Sequence, residues 1–237
     1  MDLDTQFMWE TLLETFAGIP VALKLTVVTL IVSLPLGFLM AVSKIEKRKI
    51  SSKIITVYVS FIRGTPMILQ ILFFYSLLPS LLNYIVKTVL ALDYNVFNWD
   101  YIIYAYVVFI INTTAVLTEV FRSALLTVDQ GQLEAGLSIG MTKLQTYVRV
   151  IIPQALVSAL PNLTNTTMNL LKSTSLAYMM GVKEITSIAR TAASYGYKYI
   201  EAYLDIFFVY LVLCTVLQLI FRVIEKRVSH YKQLVTG

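Results

Sequence analysis

Three apolar runs of this chain carry side chains that such runs rarely tolerate. One holds Arg63 and Thr65, a second Asn112, and a third Asn169, Lys172, Ser173 and Thr174. A charged group set in hydrocarbon costs roughly 2.5–3.5 kcal/mol on insertion scales, so each such residue is a functional candidate by default. The chemistry on offer is recognition by charge and hydrogen bonding. Bond-making sets are missing: the single Cys214 lies in an apolar run and the single His230 in the charged tail. That excludes a cysteine-rich or histidine-cluster metal site. No nucleophile–base set or paired carboxylate lies within the runs, so no catalytic residue is assigned. Nor is there a Gly-x4-Gly-Lys-Ser/Thr phosphate loop.

The elements that must position these residues follow from composition. The 237 residues are 57% hydrophobic and only 14% charged, with a mean hydropathy of +0.74. A soluble domain carries about 25% charged residues, so the polar surface is too small for a water-soluble globule. Crossing a bilayer takes about 20 mostly apolar helical residues. Five stretches qualify, 19–43, 54–82, 101–121, 153–181 and 203–221, the fourth more polar than the rest. Arg63 then lies about 14 Å into its span at 1.5 Å per residue, near the midplane of a core about 30 Å thick. Gly64 and Pro66 favour a break just after it. Asn112 sits at similar depth, and Asn169 and Lys172, three apart, share a helix face. The fold class expected is an all-α membrane protein of five spans in a single domain, 1–237, without internal repeats.

Orientation follows from the basic residues. Lys44, Lys47, Arg48, Lys49 and Lys53 follow the first span; Arg122, Lys143 and Arg149 follow the third; Arg222, Lys226, Arg227 and Lys232 follow the fifth. With five spans these segments share one side, which the positive-inside rule makes cytoplasmic. The N-terminus is then outside and the C-terminus cytoplasmic. Met1–Glu14 holds Asp2, Asp4, Glu10 and Glu14 but no Lys or Arg, unlike a signal peptide. Insertion is therefore expected to rest on the spans themselves, and 1–16 reads as an amphipathic surface helix or a solvated tail. The one-sided basic excess reads as topology and contact with anionic lipid, not with nucleic acid.

The cytoplasmic segment 128–152 is rich in small residues. Gly136 and Gly140, four apart, would form a smooth helical face, with Leu133 and Leu137 as an apolar pair beside it. Exposed leucines on a short helix suit a docking element better than a solvated loop. Glu119, close to the cytoplasmic end of its span, is expected to pair with a basic residue there.

The same segment reads Glu134-Ala135-Gly136, three residues, Gly140, nine residues, then Val150-Ile151-Ile152-Pro153. It resembles the EAA loop of ATP-binding cassette (ABC) importer permeases, with Gly136 for the usual second Ala. Phe61-Ile-Arg63-Gly64-Thr65-Pro66, Glu119-Val-Phe-Arg122 and Leu171-Lys172-Ser173-Thr174-Ser175-Leu176 resemble motifs of the polar amino acid permeases (the histidine, glutamine, arginine and cystine type). Ser123 stands where those permeases usually have Gly, and Ser173 where they commonly have Asp.

The resemblance implies the type I importer fold. It implies that the loop, with Glu134, Ala135, Gly136, Leu137 and Gly140 at the docking surface and Pro153 opening the next span, engages a cytoplasmic ATPase dimer. ATP and Mg would then bind that partner, since this chain holds no cofactor. A second permease subunit, identical or not, would complete the pathway. A solute-binding protein outside a bacterial cell would deliver the amino acid. A zwitterion needs donors, which Arg63 or Lys172 with Ser173 and Thr174 would supply, and acceptors, which Asn112 or Asn169 would supply. The competing reading is an ion-coupled secondary amino acid transporter, a class that often carries internal repeats.

Overall fold

A computed structural model describes residues 3–46 and 50–236, with side chains through residue 228. Lys47, Arg48, Lys49 and the side chains of His230 and Lys232 lie outside the described residues. The chain is helical, with no strand among the described residues. A short helix α1 (Thr5–Thr15) is capped by Asp4, whose carboxylate accepts from the Phe7 amide. A single 3₁₀ turn leads into α2 (Ile19–Ile45). The expected span 54–82 is two helices, α3 (Ser51–Gly64) and α4 (Met67–Tyr84). Pro66 forces the break: it disfavours the helical region for the residue before it, and Thr65 is extended at φ −114°, ψ 141°.

Helix α5 (Tyr101–Leu126) starts at Asp100, which caps the Ile102 amide. Two short helices follow, α6 (Gly131–Ser138) and α7 (Lys143–Thr146), the latter opened by a capping box between Thr142 and Gln145. Helix α8 (Ile152–Ser173) has Pro153 in its first turn and continues as a 3₁₀ segment, Thr174–Met180, stopped by Gly181 at φ +83°. Helices α9 (Ile185–Ser194) and α10 (Tyr199–Thr236) complete the chain. Residues 5–15 are thus helical, and α1 packs against α9 and α10 instead of trailing as a solvated tail. Asp4 also forms an ion pair with Lys198.

Helix α5 is the centre. Its apolar stretch is 50% buried within the chain, against 11% for those of α4 and α10, which turn their side chains outward as lipid-facing helices do. Gly37 brings α2 onto α5, for a Cβ there would stand 2.8 Å from the Cβ of Leu117. One core cluster gathers Leu25, Ile71, Val108, Phe109 and Met180; a second gathers Leu117, Phe121, Leu125 and Ile151.

Among the described residues, four segments are long and apolar enough to cross a membrane: Thr5–Ile45, Met67–Val89, Tyr101–Leu126 and Tyr199–Val228. The expected spans at 19–43, 101–121 and 203–221 fall inside three of them. The expected 54–82 is represented only by its half after the break. The expected 153–181 is helical throughout its first part, but its asparagines, threonines and Lys172 leave it outside the apolar set.

Candidate functional site

The break between α3 and α4 leaves a backbone debt. The Ile62 carbonyl would normally accept from the amide of residue 66, which in proline does not exist. Gln70, 4% exposed, meets that need from the first turn of α4. Its Nε2 donates to the Ile62 carbonyl at 2.6 Å, to the Thr65 carbonyl at 3.0 Å and to Thr65 Oγ1 at 2.8 Å. Its Oε1 accepts from Nδ2 of Asn112 on α5 at 2.9 Å. The break is thereby tied to the central helix.

Asn112 also lines a cavity of about 130 Å³ between the start of α4, the middle of α5 and the C-terminal half of α8. Met67, Thr166, Asn169 and Ser173 are among its other walls. Among the sequence-derived candidates, the fold brings Asn112, Asn169 and Ser173 together at this cavity. The others lie elsewhere. Arg63 is exposed at the end of α3, and Thr65 spends its hydroxyl on the Phe61 carbonyl at 3.0 Å. Lys172 is exposed and is not among the cavity's walls. Thr174 is fully buried and bonded to the Leu171 carbonyl and to Tyr210, which leaves it nothing to offer a ligand.

Gln70 was not among the candidates. A lone amide in the run Met67-Ile-Leu-Gln-Ile-Leu is a signal of the same kind as Asn112, and only its partner across 42 positions reveals its role.

The second site is the segment between α5 and α8. Helix α6 exposes Glu134, Ala135 and Leu137, and Ile139 beyond its end is 79% exposed. Gly136 is a correction: it is buried, not presented, because Thr146 packs onto its α-carbon. Nor do Gly136 and Gly140 form one helical face, since α6 ends at Ser138 and Gly140 lies past it at φ +87°. The amides of Met141 and Gly140 close back onto the carbonyls of Gly136 and Leu137, a Schellman cap that needs a left-handed residue at 140. Leu133 turns inward to the cluster around Leu125 and Ile151, so the expected pair with Leu137 is split between core and surface. Pro153 opens α8 as expected.

The segment is held to the helices by charge. Lys143 pairs with Glu46 at the end of α2 at 3.0 Å. Glu119 pairs with Lys44 and, at 2.7 Å, with Arg122, which bears out the basic partner expected for it. At the opposite end, Arg190 of α9 stacks 4.6 Å from the ring of Tyr178 and donates to the Tyr203 hydroxyl at 2.9 Å.

Comparison with known proteins places this arrangement. Residues 33–230 match the family described as the binding-protein-dependent transport system inner membrane component. The chain is similar to the probable amino-acid permease protein YxeN of Bacillus subtilis (strain 168), at 34% identity over 96% of each chain. It is similar to the L-cystine transport system permease protein TcyB of the same organism, at 32% identity over 98% of this chain and 95% of that one. Its fold overlays on the crystal structure of an amino acid ABC transporter with histidines, with a TM-score of 0.77, 28% identity, and coverage of 96% of this chain and 100% of that one.

Proposed function

The chain belongs to the family of binding-protein-dependent transport system inner membrane components, and on that premise we propose that it is the permease subunit of an ATP-driven amino acid importer in a bacterial cell membrane. The observation that carries the reading is the short helix α6, which holds Glu134, Ala135 and Leu137 outward. A rigid, capped, partly apolar helix beside the ion-paired ends of α2 and α5 is suited to receive force from a partner. ATP would be hydrolysed on a separate ATPase dimer docked there.

In this reading α8 is the fourth of five spans, with the N-terminus outside and the C-terminus in the cytoplasm. Its exposed face, Asn162, Asn165, Asn169 and Lys172, is too polar for lipid and fits a pathway shared with a second permease subunit. A cavity of about 130 Å³ is small for a whole amino acid, which also favours completion by that subunit. Asn112, Asn169 and Ser173 would line the cargo's route. An extracytoplasmic solute-binding protein would load it. The amides and hydroxyls of the cavity favour polar amino acids, cystine included.

The test is uptake by the assembled complex in proteoliposomes loaded with ATP. Inactivating the ATPase is expected to stop accumulation, as is replacing Glu134 and Gly140 with bulky residues. Uptake that survives both and collapses with an imposed ion gradient would instead establish an ion-coupled secondary transporter.

A further inference from the structure

Building on the importer reading, we propose that Gln70 is a positioning residue that fixes which end of the Asn112 amide faces the cargo, and that the end presented is an oxygen acceptor for the amino acid's ammonium group.

The argument starts at Pro66. Because it has no N–H, the Ile62 carbonyl has no helical donor, and the Thr65 carbonyl lies at the same break. Both are acceptors only. The group that satisfies them must donate, so Gln70 turns its Nε2 toward them; reversed, it would strand the Thr65 carbonyl and leave that of Ile62 only a long 3.4 Å bond from Thr65 Oγ1. Thr65 Oγ1 enforces the same sense, since its own proton goes to the Phe61 carbonyl and it is left to accept. Gln70 Oε1 must therefore point away from the break, toward α5. There it faces Asn112, which has to answer with its NH₂.

The orientation of one amide has been passed to a second. Asn112 Nδ2 is committed to Gln70, and its Oδ1 accepts no hydrogen bond from any described residue. Asn112 lines the cavity, and no carboxylate stands among the cavity's walls. A cargo ammonium entering there meets a fixed carbonyl-type oxygen on α5, with the oxygens of Asn169 and Ser173 across from it on α8. A preset acceptor selects for an N–H-bearing cargo, because an analogue without the amine leaves Oδ1 desolvated and unpaired.

The test uses the whole complex, with its ATPase and second permease subunit, in lipid nanodiscs without the binding protein. Binding of radiolabelled L-cystine, L-glutamine and L-histidine is measured against competition by their des-amino analogues, 3,3′-dithiodipropionate, glutaramate and imidazolepropionate. Wild type is expected to prefer at least one amino acid over its analogue. Gln70→Met, which keeps the volume and removes the amide, should cut that preference by about tenfold or more, as should Asn112→Leu. Where Gln70→Met does not assemble, Gln70→Lys keeps donors for the Ile62 and Thr65 carbonyls and offers Asn112 no acceptor, so the preference should fall in it too. The preference is a ratio, so a smaller folded fraction does not move it.

An unchanged ratio in the Gln70 variants overturns the proposal. So does a wild-type complex that accumulates amino acid with ATP yet binds none at the permease. A wild-type complex that shows no ATP-driven uptake overturns the importer reading itself.

Discussion

Thr146 lies so close to Gly136 that a methyl group on that glycine would stand 2.5 Å from its Cγ2 and 2.6 Å from its Oγ1. Thr146 is fully buried and its hydroxyl is already bonded to the Thr142 carbonyl at 3.1 Å, so it cannot swing clear. Alanine, usual at this position in the motif the segment resembles, would gain roughly 1 kcal/mol of helix propensity. The clash should outweigh it, since overpacking a filled site costs about 1–3 kcal/mol. Gly136→Ala is expected to lower both thermal stability and recovery of the ATPase with the purified permease. Gly136→Ala combined with Thr146→Ala should regain both; a single variant as stable as wild type would remove the fit between α6 and α7 as a constraint.

Gly18 is tighter still, and its neighbours are backbone. A Cβ there would meet the Ile185 nitrogen at 2.3 Å and the Glu184 carbonyl carbon at 2.7 Å, where the start of α2 passes the start of α9. Nothing flexible can yield, so Gly18→Ala should cost about 3 kcal/mol or more and lower the unfolding midpoint by on the order of 10 °C. Gly64→Ala is the control: no atom lies within 4 Å of its Cβ position, and the midpoint should hold or rise slightly. Equal losses from the two would show that helix-end flexibility, not the close approach, makes glycine necessary.

What the sequence made legible was local. Apolar length marked the spans at 19–43, 101–121 and 203–221, Pro66 marked the break, and the spacing from Glu134 to Pro153 marked the exposed segment between α5 and α8, because each depends on neighbours within about one or two turns. Long-range partners were invisible. Gln70 looked like one polar residue in an apolar helix until Asn112 met it from 42 positions away. Thr174 looked like a ligand contact until Tyr210 took its hydroxyl from 36 positions away. Gly136 looked like a docking surface because spacing gives a helix face but not which neighbour covers it. Apolar length is a weak guide at 153–181 too, where asparagines, threonines and Lys172 dilute the signal.

Glu119 joins two cations, Lys44 of α2 and Arg122 of its own helix, with only 16% of its side chain exposed. Glu119→Gln would leave both charges facing a neutral amide. The cost should exceed 1 kcal/mol yet stay below the roughly 3–5 kcal/mol of breaking a fully buried pair, because Arg122 retains solvent contact. Lys44→Met with Glu119→Gln removes a charge of each sign and should recover part of that loss. A double-mutant cycle on thermal stability reads the coupling directly, and a coupling energy near zero would mean that α2 and α5 are held by packing alone.

Glu184 makes stability depend on pH. It lies between the spanning helices, fully buried, and caps α9 by accepting from the Thr186 and Ser187 amides at 2.8 Å while Tyr210 donates to it at 3.1 Å. Burial, the larger effect, raises its pKa from 4.5 to about 7, and those hydrogen bonds to the charged form hold the rise in check. The folded chain therefore binds this proton more tightly than the unfolded chain does. Its contribution is complete below about pH 4.5 and is lost as pH climbs through about 7. The unfolding midpoint of the wild type should fall between about pH 5 and pH 8 relative to that of Glu184→Gln, which caps with a neutral oxygen and has nothing to titrate. Thermal unfolding of both proteins in the same detergent across that range is the measurement. Curves that stay parallel would show that the Glu184 carboxylate is already charged at the acid end, its two amides and Tyr210 outweighing burial.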